Sequence, residues 1–427
     1  MRKSILAVIL ALMLALAFVK PSQAQTELHM TWWGSQNRHD RTIKVIEMYE
    51  AANPGVKITY EYANFNDYWT KLNTQAAGNE LPCIMQQDYA YVAEWANRGL
   101  LMPLDDAYKS GIDVSNISQG VLDSGKVGDH YYALSLGSNS QSIIIDTDAF
   151  AKAGIDIPAD DWTWKDFEDI ALKLHEKLGI WALSTGLEDV QLWKSLYVAL
   201  GKNPFTDDGT ALGYTDDQPL IEYYNMILRL QKAGAIANQE EAAQFTNQSM
   251  EQSPLVTGKE AMRYQWSNQV VAIFTAAGAD RHFILHTLPR PEGGKAENYL
   301  KPSQFFSITA SCKNPEEAAK IINYFTNDNE ANDVLGGERG VPVASTVRDH
   351  LLPTLDTVGK ETFSFLAKVE TLASPIFPPD PPGFSDILNN VYTPQFVQPV
   401  LYEQISVEEG VATFRKGAEE ILAKNKK

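Results

Sequence analysis

Residues 31–62 read TWWGSQNRHDRTIKVIEMYEAANPGVKITYEY, and this stretch decides the fold. It opens on the end of a strand that starts at Leu28 and closes at Trp33. A helix from Asp40 to Ala52 follows, with Asp40 as its cap and Ile43, Ile46 and Tyr49 on one face. Asn53-Pro54-Gly55 stops it. Val56, Ile58, Tyr60 and Tyr62 then alternate as a second strand. Strand, helix and strand at these lengths make two parallel strands joined by a right-handed crossover. A helix near 66–77 and a strand from Cys83 to Gln86 continue the pattern, so the class is α/β.

Upstream, Met1-Arg2-Lys3 is a basic head, and Ile5 to Val19 is an unbroken apolar run. Ser22-Gln23-Ala24 supplies the small residues of a cleavage site. Residues 1–24 read as a secretory signal peptide cut after Ala24, with export to a periplasm. The apolar run is short for a membrane span, and the absence of a nearby cysteine argues against a lipid anchor. The leader carries three of the 36 basic residues and none of the 54 acidic ones. Its removal leaves 403 residues at a net charge of −21. That length calls for two lobes. That charge excludes nucleic acid and anionic membrane surfaces as partners.

Downstream, YYALSLGSNSQSIIID (residues 131–146) is a long extended stretch with small polar residues at its centre. WTWKDFEDIALKLHEKLGIWALST (162–185) reads as helix then strand, and the chain to about residue 280 as mainly helical. QFFSITASCKNPEEAAKIINYFTND (304–328) is strand, turn and helix. The last hundred residues are helical, broken by ASPIFPPDPPGF (373–384). The two cysteines, Cys83 and Cys312, form either one bridge or two buried thiols.

No G-x-S-x-G, G-x-x-x-x-G-K-[ST] or H-E-x-x-H motif is present. Seven histidines lack metal spacing, and His282 and His286, four apart at a strand end, read as structural. No cofactor and no metal is expected. Among 54 acids, a carboxylate pair read from sequence carries no information about glycosidase chemistry. Nine tryptophans, eighteen tyrosines and many amides are the notable inventory. Flat aromatic faces stack on a pyranose ring, amides bond its hydroxyls, and open α/β sheets bind ligands beyond their strand ends.

The chain resembles the sugar-type extracellular solute-binding proteins of bacterial ABC importers, the maltose-binding-protein-like group. The resemblance runs in order through the opening stretch, KLNTQAAGNELPCIMQQDYAYVAEWANRGLLMPLDD (71–106), GDHYYALSLGSNSQSIIIDTDAFAKAGI (128–155), WTWKDFEDIALKL (162–174), TGKEAMRYQWSNQ (257–269), SITASCKNPEEAAKIINYFTND (307–328) and GGERGVPVAS (336–345). TWWG, KPSQFFSI and GERGVP are similar to the branch that binds oligogalacturonides and related oligosaccharides. The resemblance implies a type II two-lobe periplasmic binding protein fold. Lobe one is expected over 25–138 plus 303–345, and lobe two over 139–302 plus 346–427. A carbohydrate would bind between lobes that close by hinge motion, for delivery to ABC permease subunits in the membrane. A monomer is expected. Where the family has an aspartate, LPCIM carries Cys83, and the implied strand order sets that strand beside the one ending at Cys312, which favours a disulfide.

Trp32 and Trp33 alternate on a strand, so one faces the core, and Trp33 is assigned to the cleft. Ser35 and Gln36 follow in the turn. Arg38 suits vicinal hydroxyls or a uronate, and equally a salt bridge. The resemblance implies ligand contacts at Gln87 and Asp88 after the third strand, and at Asn139 and Gln141 on the crossover. It implies them also at Asp189 and Gln191 on a lobe-two helix, where capping explains Asp189 nearly as well. Trp266 is the candidate for ring stacking, with Asn268 as companion amide. Gln304 lies on the second crossover, and Arg339 either reaches the cleft or braces the hinge. Lys301, Arg38 and Arg339 together would suit an acidic sugar. Two function classes remain, a transport receptor and a secreted glycan-active hydrolase or lyase. The missing catalytic motifs favour the receptor.

Overall fold

A computed structural model describes residues 25–34, 36–245, 252–278, 280–378 and 380–425. The leader over 1–24 and Ser35 lie outside the described residues. Strand β1 (Thr26–Trp33) leads to helix α1 (Gln36–Ala52), and β2 (Val56–Ala63) returns parallel to β1 from Thr26↔Val56 to Trp33↔Ala63. The helix starts before Asp40, the expected cap. Gln36 Nε2 donates to Asp40 Oδ1 at 2.7 Å, so Asp40 supports the first turn from inside. His39, Thr42, Val45, Ile46 and Tyr49 form its buried face. Asn53 to Gly55 closes the return, with Thr26 N donating to Gly55 O at 2.8 Å. Helix α2 (Phe65–Ala77) begins on Asn64, whose side chain caps Asp67 N.

Strand β3 (Ile84–Gln87) lies on the other side of β1. The sheet continues with β10 (Phe305–Ile308), antiparallel to β3, and then β4 (Leu134–Ser135). A second sheet centres on β6 (Gln141–Asp146), entirely buried, between β7 (Met262–Trp266) and β8 (Phe283–His286). Strand β7 interrupts the region read as mainly helical. Its Met262 and Tyr264 alternate into the core, the period of a strand. The strand expected after α4 (Trp164–Leu178) is reduced to single bridges, Trp181↔Glu260 and Leu183↔Ile236. Helices α4, α5 (Val190–Ala199), α6 (Gln218–Lys232) and α9 (Val407–Leu422) share one core with Ile143 and Ile145 of β6. The other large core joins the first sheet, α1 and α7 (Pro315–Asn327). It also reaches Ile144 on the opposite face of β6 through α8 (Thr357–Leu372).

Between the sheets run three very short strands, β5 (Gly137–Asn139), β9 (Lys301–Pro302) and β11 (Val341–Pro342), in the order β9-β5-β11. Each lies where the chain passes from one sheet towards the other. Their pairing needs close approach. A Cβ on Gly137 would sit 2.2 Å from the Arg339 carbonyl oxygen. The architecture is therefore a two-lobe α/β fold, as the sequence implied.

Cys83 and Cys312 are joined in a disulfide with Cα atoms 4.4 Å apart and 229 positions between them in sequence. The bridge extends the β3–β10 ladder, where Ile84 pairs with Ile308 and Thr309 N donates to Cys83 O at 3.0 Å. Closing so long a loop in the unfolded chain predicts that the double Cys→Ser variant loses about 4–5 kcal/mol, measured by urea unfolding. Gly137→Ala should cost about 1–3 kcal/mol in the same assay, because a methyl group has no room against the Arg339 carbonyl.

Candidate functional site

The candidate site is built from helix starts and crossover strands. Strand β3 ends at Gln87, and Asp88 caps α3 (Tyr89–Asn97), its Oδ1 accepting from Ala90 N at 2.9 Å. Asp189 caps α5 in the same way, accepting from Gln191 N at 2.7 Å. A cavity of about 230 Å³ lies between these helix starts, lined by Asp88, Tyr89, Gln191, Lys194, Tyr299 and Lys301. The proline-rich segment closes it with Ile376, Phe377, Pro378 and Asp380. A cavity of about 560 Å³ shares Lys194, Phe377, Pro378 and Asp380 with it and reaches Asp207 and Asp208.

Strand register gathers several of the predicted residues. Gln141 pairs with Trp266, and Asn139 pairs with Lys301. Lys301 Nζ stands 4.9 Å from the Trp266 ring centre, a cation–π contact. Trp266 meets Tyr299 at 6.2 Å, and Tyr299 meets Phe377 at 4.7 Å, so an aromatic row leads to the cavity. Asn268 is exposed in the turn after β7. Three of the predicted glutamines end in buried atoms with no hydrogen-bond partner among the described residues: Gln87 Oε1, Gln141 Nε2 and Gln304 Oε1. Such atoms call for water or a ligand.

Other predicted residues are held in the framework. Trp33, assigned to the cleft, is buried in an aromatic cluster with Tyr68 and Trp69. Trp32 is also buried, its Nε1 donating to His39 Nδ1. Both tryptophans are core because α2 covers the face that was read as open. Gln36 is exposed at the helix start, bonded to Asp40. Arg38 makes paired bonds to Glu338, at 2.9 and 3.0 Å, and donates to Trp33 O. Arg339 is buried and donates to Gln86 Oε1 and Thr42 Oγ1. Burial and the neighbouring Arg38 push its pKa down to about 9. A guanidinium nevertheless stays charged at neutral pH. Both arginines thus brace the strand ends, and Lys301 alone of the three proposed cations lines the cavity.

Lys194 is the cleft cation that sequence reading missed. Burial pulls its pKa down, and Asp380 opposes that shift. Burial raises Asp189, and it raises Tyr89 to about 12. The signal for Lys194 was one lysine inside the otherwise apolar VQLWKSLYVA. Tyr89, Tyr299 and Phe377 carried no local signal, because what brings them together is tertiary. Among the described residues no cluster of histidine, cysteine and acidic side chains forms a metal site, and no helix is long and apolar enough to cross a membrane.

The family model described as bacterial extracellular solute-binding protein matches residues 36–331. The chain is 26% identical over 241 residues to the sn-glycerol-3-phosphate-binding periplasmic protein UgpB of Shigella dysenteriae, covering 52% of this chain and 54% of that one. It spans less than two thirds of the length of the curated relatives it matches. An extracellular solute-binding protein family 1 structure from Alicyclobacillus acidocaldarius aligns with a TM-score of 0.83 at 31% identity, covering 94% of this chain and 100% of that one. A periplasmic oligogalacturonide binding protein from Yersinia enterocolitica has the same fold, with a TM-score of 0.78 at 22% identity over 94% of this chain and 100% of that one. With well over half its length matched by the family model, the chain belongs to the bacterial extracellular solute-binding protein family.

Proposed function

We propose that this protein captures a carbohydrate, an oligosaccharide with or without uronic acid, in the interlobe cleft and delivers it to the permease of an ABC importer. Residues 1–24 serve as its export signal. The lobes divide as 25–138 with 303–345, and 139–302 with 346–427. Three short paired strands at 137–139, 301–302 and 341–342 support that division. One observation carries the ligand class: the aromatic row Trp266–Tyr299–Phe377 beside polar groups from both helix starts. In this reading Trp266 and Tyr299 stack on rings, while Asp88, Asn139, Gln141 and Gln191 bond hydroxyls. Two similar proteins are described as binding an oligogalacturonide and sn-glycerol-3-phosphate, both polyols bearing an acidic group. A glycan-active enzyme needs a free acid–base pair. Asp88 and Asp189 are engaged as helix caps, and Asp380 is engaged with Lys194.

Calorimetric titration of the purified protein against neutral and uronic oligosaccharides should give saturable binding, micromolar or tighter, with the sugar recovered intact. Heat that continues with turnover would instead establish an enzyme. Trp266→Ala should weaken binding by about tenfold, the scale of one lost stacking face.

A further inference from the structure

Lys194 sits among core residues. Leu192, Trp193, Leu196 and Tyr197 around it on α5 are buried, and its own side chain is 1% exposed. An ammonium so deeply placed needs an opposite charge. Among the described residues its ion-pair partner is Asp380, at 2.5 Å. The rings of Phe384 and Phe377 stand 4.0 and 5.3 Å from Nζ. The two ion partners are unequal. Lys194 is fixed in a helix, whereas the Asp380 side chain is 34% exposed and can turn into water.

Asp380 belongs to a segment, 373–383, that contains five prolines and so offers few backbone donors. Its ends are fastened. Ser374 N donates to Asn298 O, and Asn425 Nδ2 donates to Pro382 O. Its middle is lightly held. From Ile376 to Asp380 the hydrogen bonds among the described residues are Tyr89 OH to Phe377 O and the Lys194–Asp380 contact. This middle forms a wall of both cavities.

We propose that Asp380 is an internal stand-in for an anionic group of the solute, and that a carboxylate or phosphate on the incoming polyol takes over Lys194 as the strap moves aside. The inference rests on the solute-binding reading above and adds the class of solute. Lys301, exposed over Trp266, supplies the second cation. The exchange replaces one anion by another beside Lys194, so burying an anionic ligand there leaves the ammonium paired. A neutral sugar gains nothing from displacing Asp380.

Asp380→Asn removes the competing charge and keeps the side-chain shape. Wild type and D380N should be titrated with digalacturonate, with sn-glycerol 3-phosphate and with neutral digalactose. The expected result is binding of one of the two anions on the order of tenfold tighter in D380N, a gain that digalactose does not share. Which anion gains identifies a carboxylate or a phosphate as the recognised group. Lys194→Met, checked for folding by its thermal unfolding transition, should lose binding of that anion. Equal or weaker binding of both anions by D380N overturns the proposal. If wild type and D380N bind digalactose and neither anion, the carbohydrate reading stands and this one falls. If neither protein binds any of the three, this proposal falls, and the oligosaccharide titration above decides the carbohydrate reading.

Discussion

The close approach of Gly137 to the Arg339 carbonyl holds the rest of the architecture in place. It lets β5 pair with β11 on one side while β9 pairs on the other, so all three passages of the chain between the sheets lie together. Two- and three-residue strands carry few ladder bonds. The chain itself runs through all three, so they tie the two larger sheets together. Arg348 steadies this joint by donating to the Pro342 and Val343 carbonyls and pairing with Glu370 of α8.

Charge is distributed in two tiers. Arg38 and Arg339 are enclosed by Glu338, Gln86 and Thr42, and they lock the ends of β1 and β3 to the segment before β11. Their positive charge shapes the frame. Lys194 and Lys301 belong to the cavity wall itself, one buried and one exposed. An acidic chain thus keeps two lysines on this wall, beside Asp88 and Asp380.

The opening strand–helix–strand unit was legible in the sequence, because period and stop signals there are local. The α/β class and the two lobes followed from it and from length. The disulfide became legible only through the strand order that the resemblance implied, since nothing near Cys83 points to Cys312. The candidate site was legible in part. Asp88 and Gln191 line the cavity, and Asn139, Gln141 and Trp266 gather at the crossover strands. Trp33 was misplaced, because alternation along a strand does not say which face a neighbouring helix will cover. Lys194, Tyr299 and Phe377 were missed for a related reason. Their partners lie on other elements, and the proline-rich segment reads as a simple loop until its position is known.

The strand order also sets a schedule for folding. A chain made from its N-terminus delivers β6, β7 and β8 by residue 286, and β10 only at 305–308. Of the two larger sheets, the one that contains the first strands is therefore the later to be completed. Until β10 arrives, the Ile84–Gln87 edge has unpaired backbone groups and apolar side chains, an invitation to mispairing with another chain. Long-range pairing of this kind is slow. The hazard for this protein in the cell thus lies in the interval between those two arrivals, and it would persist whatever solute the finished cleft holds.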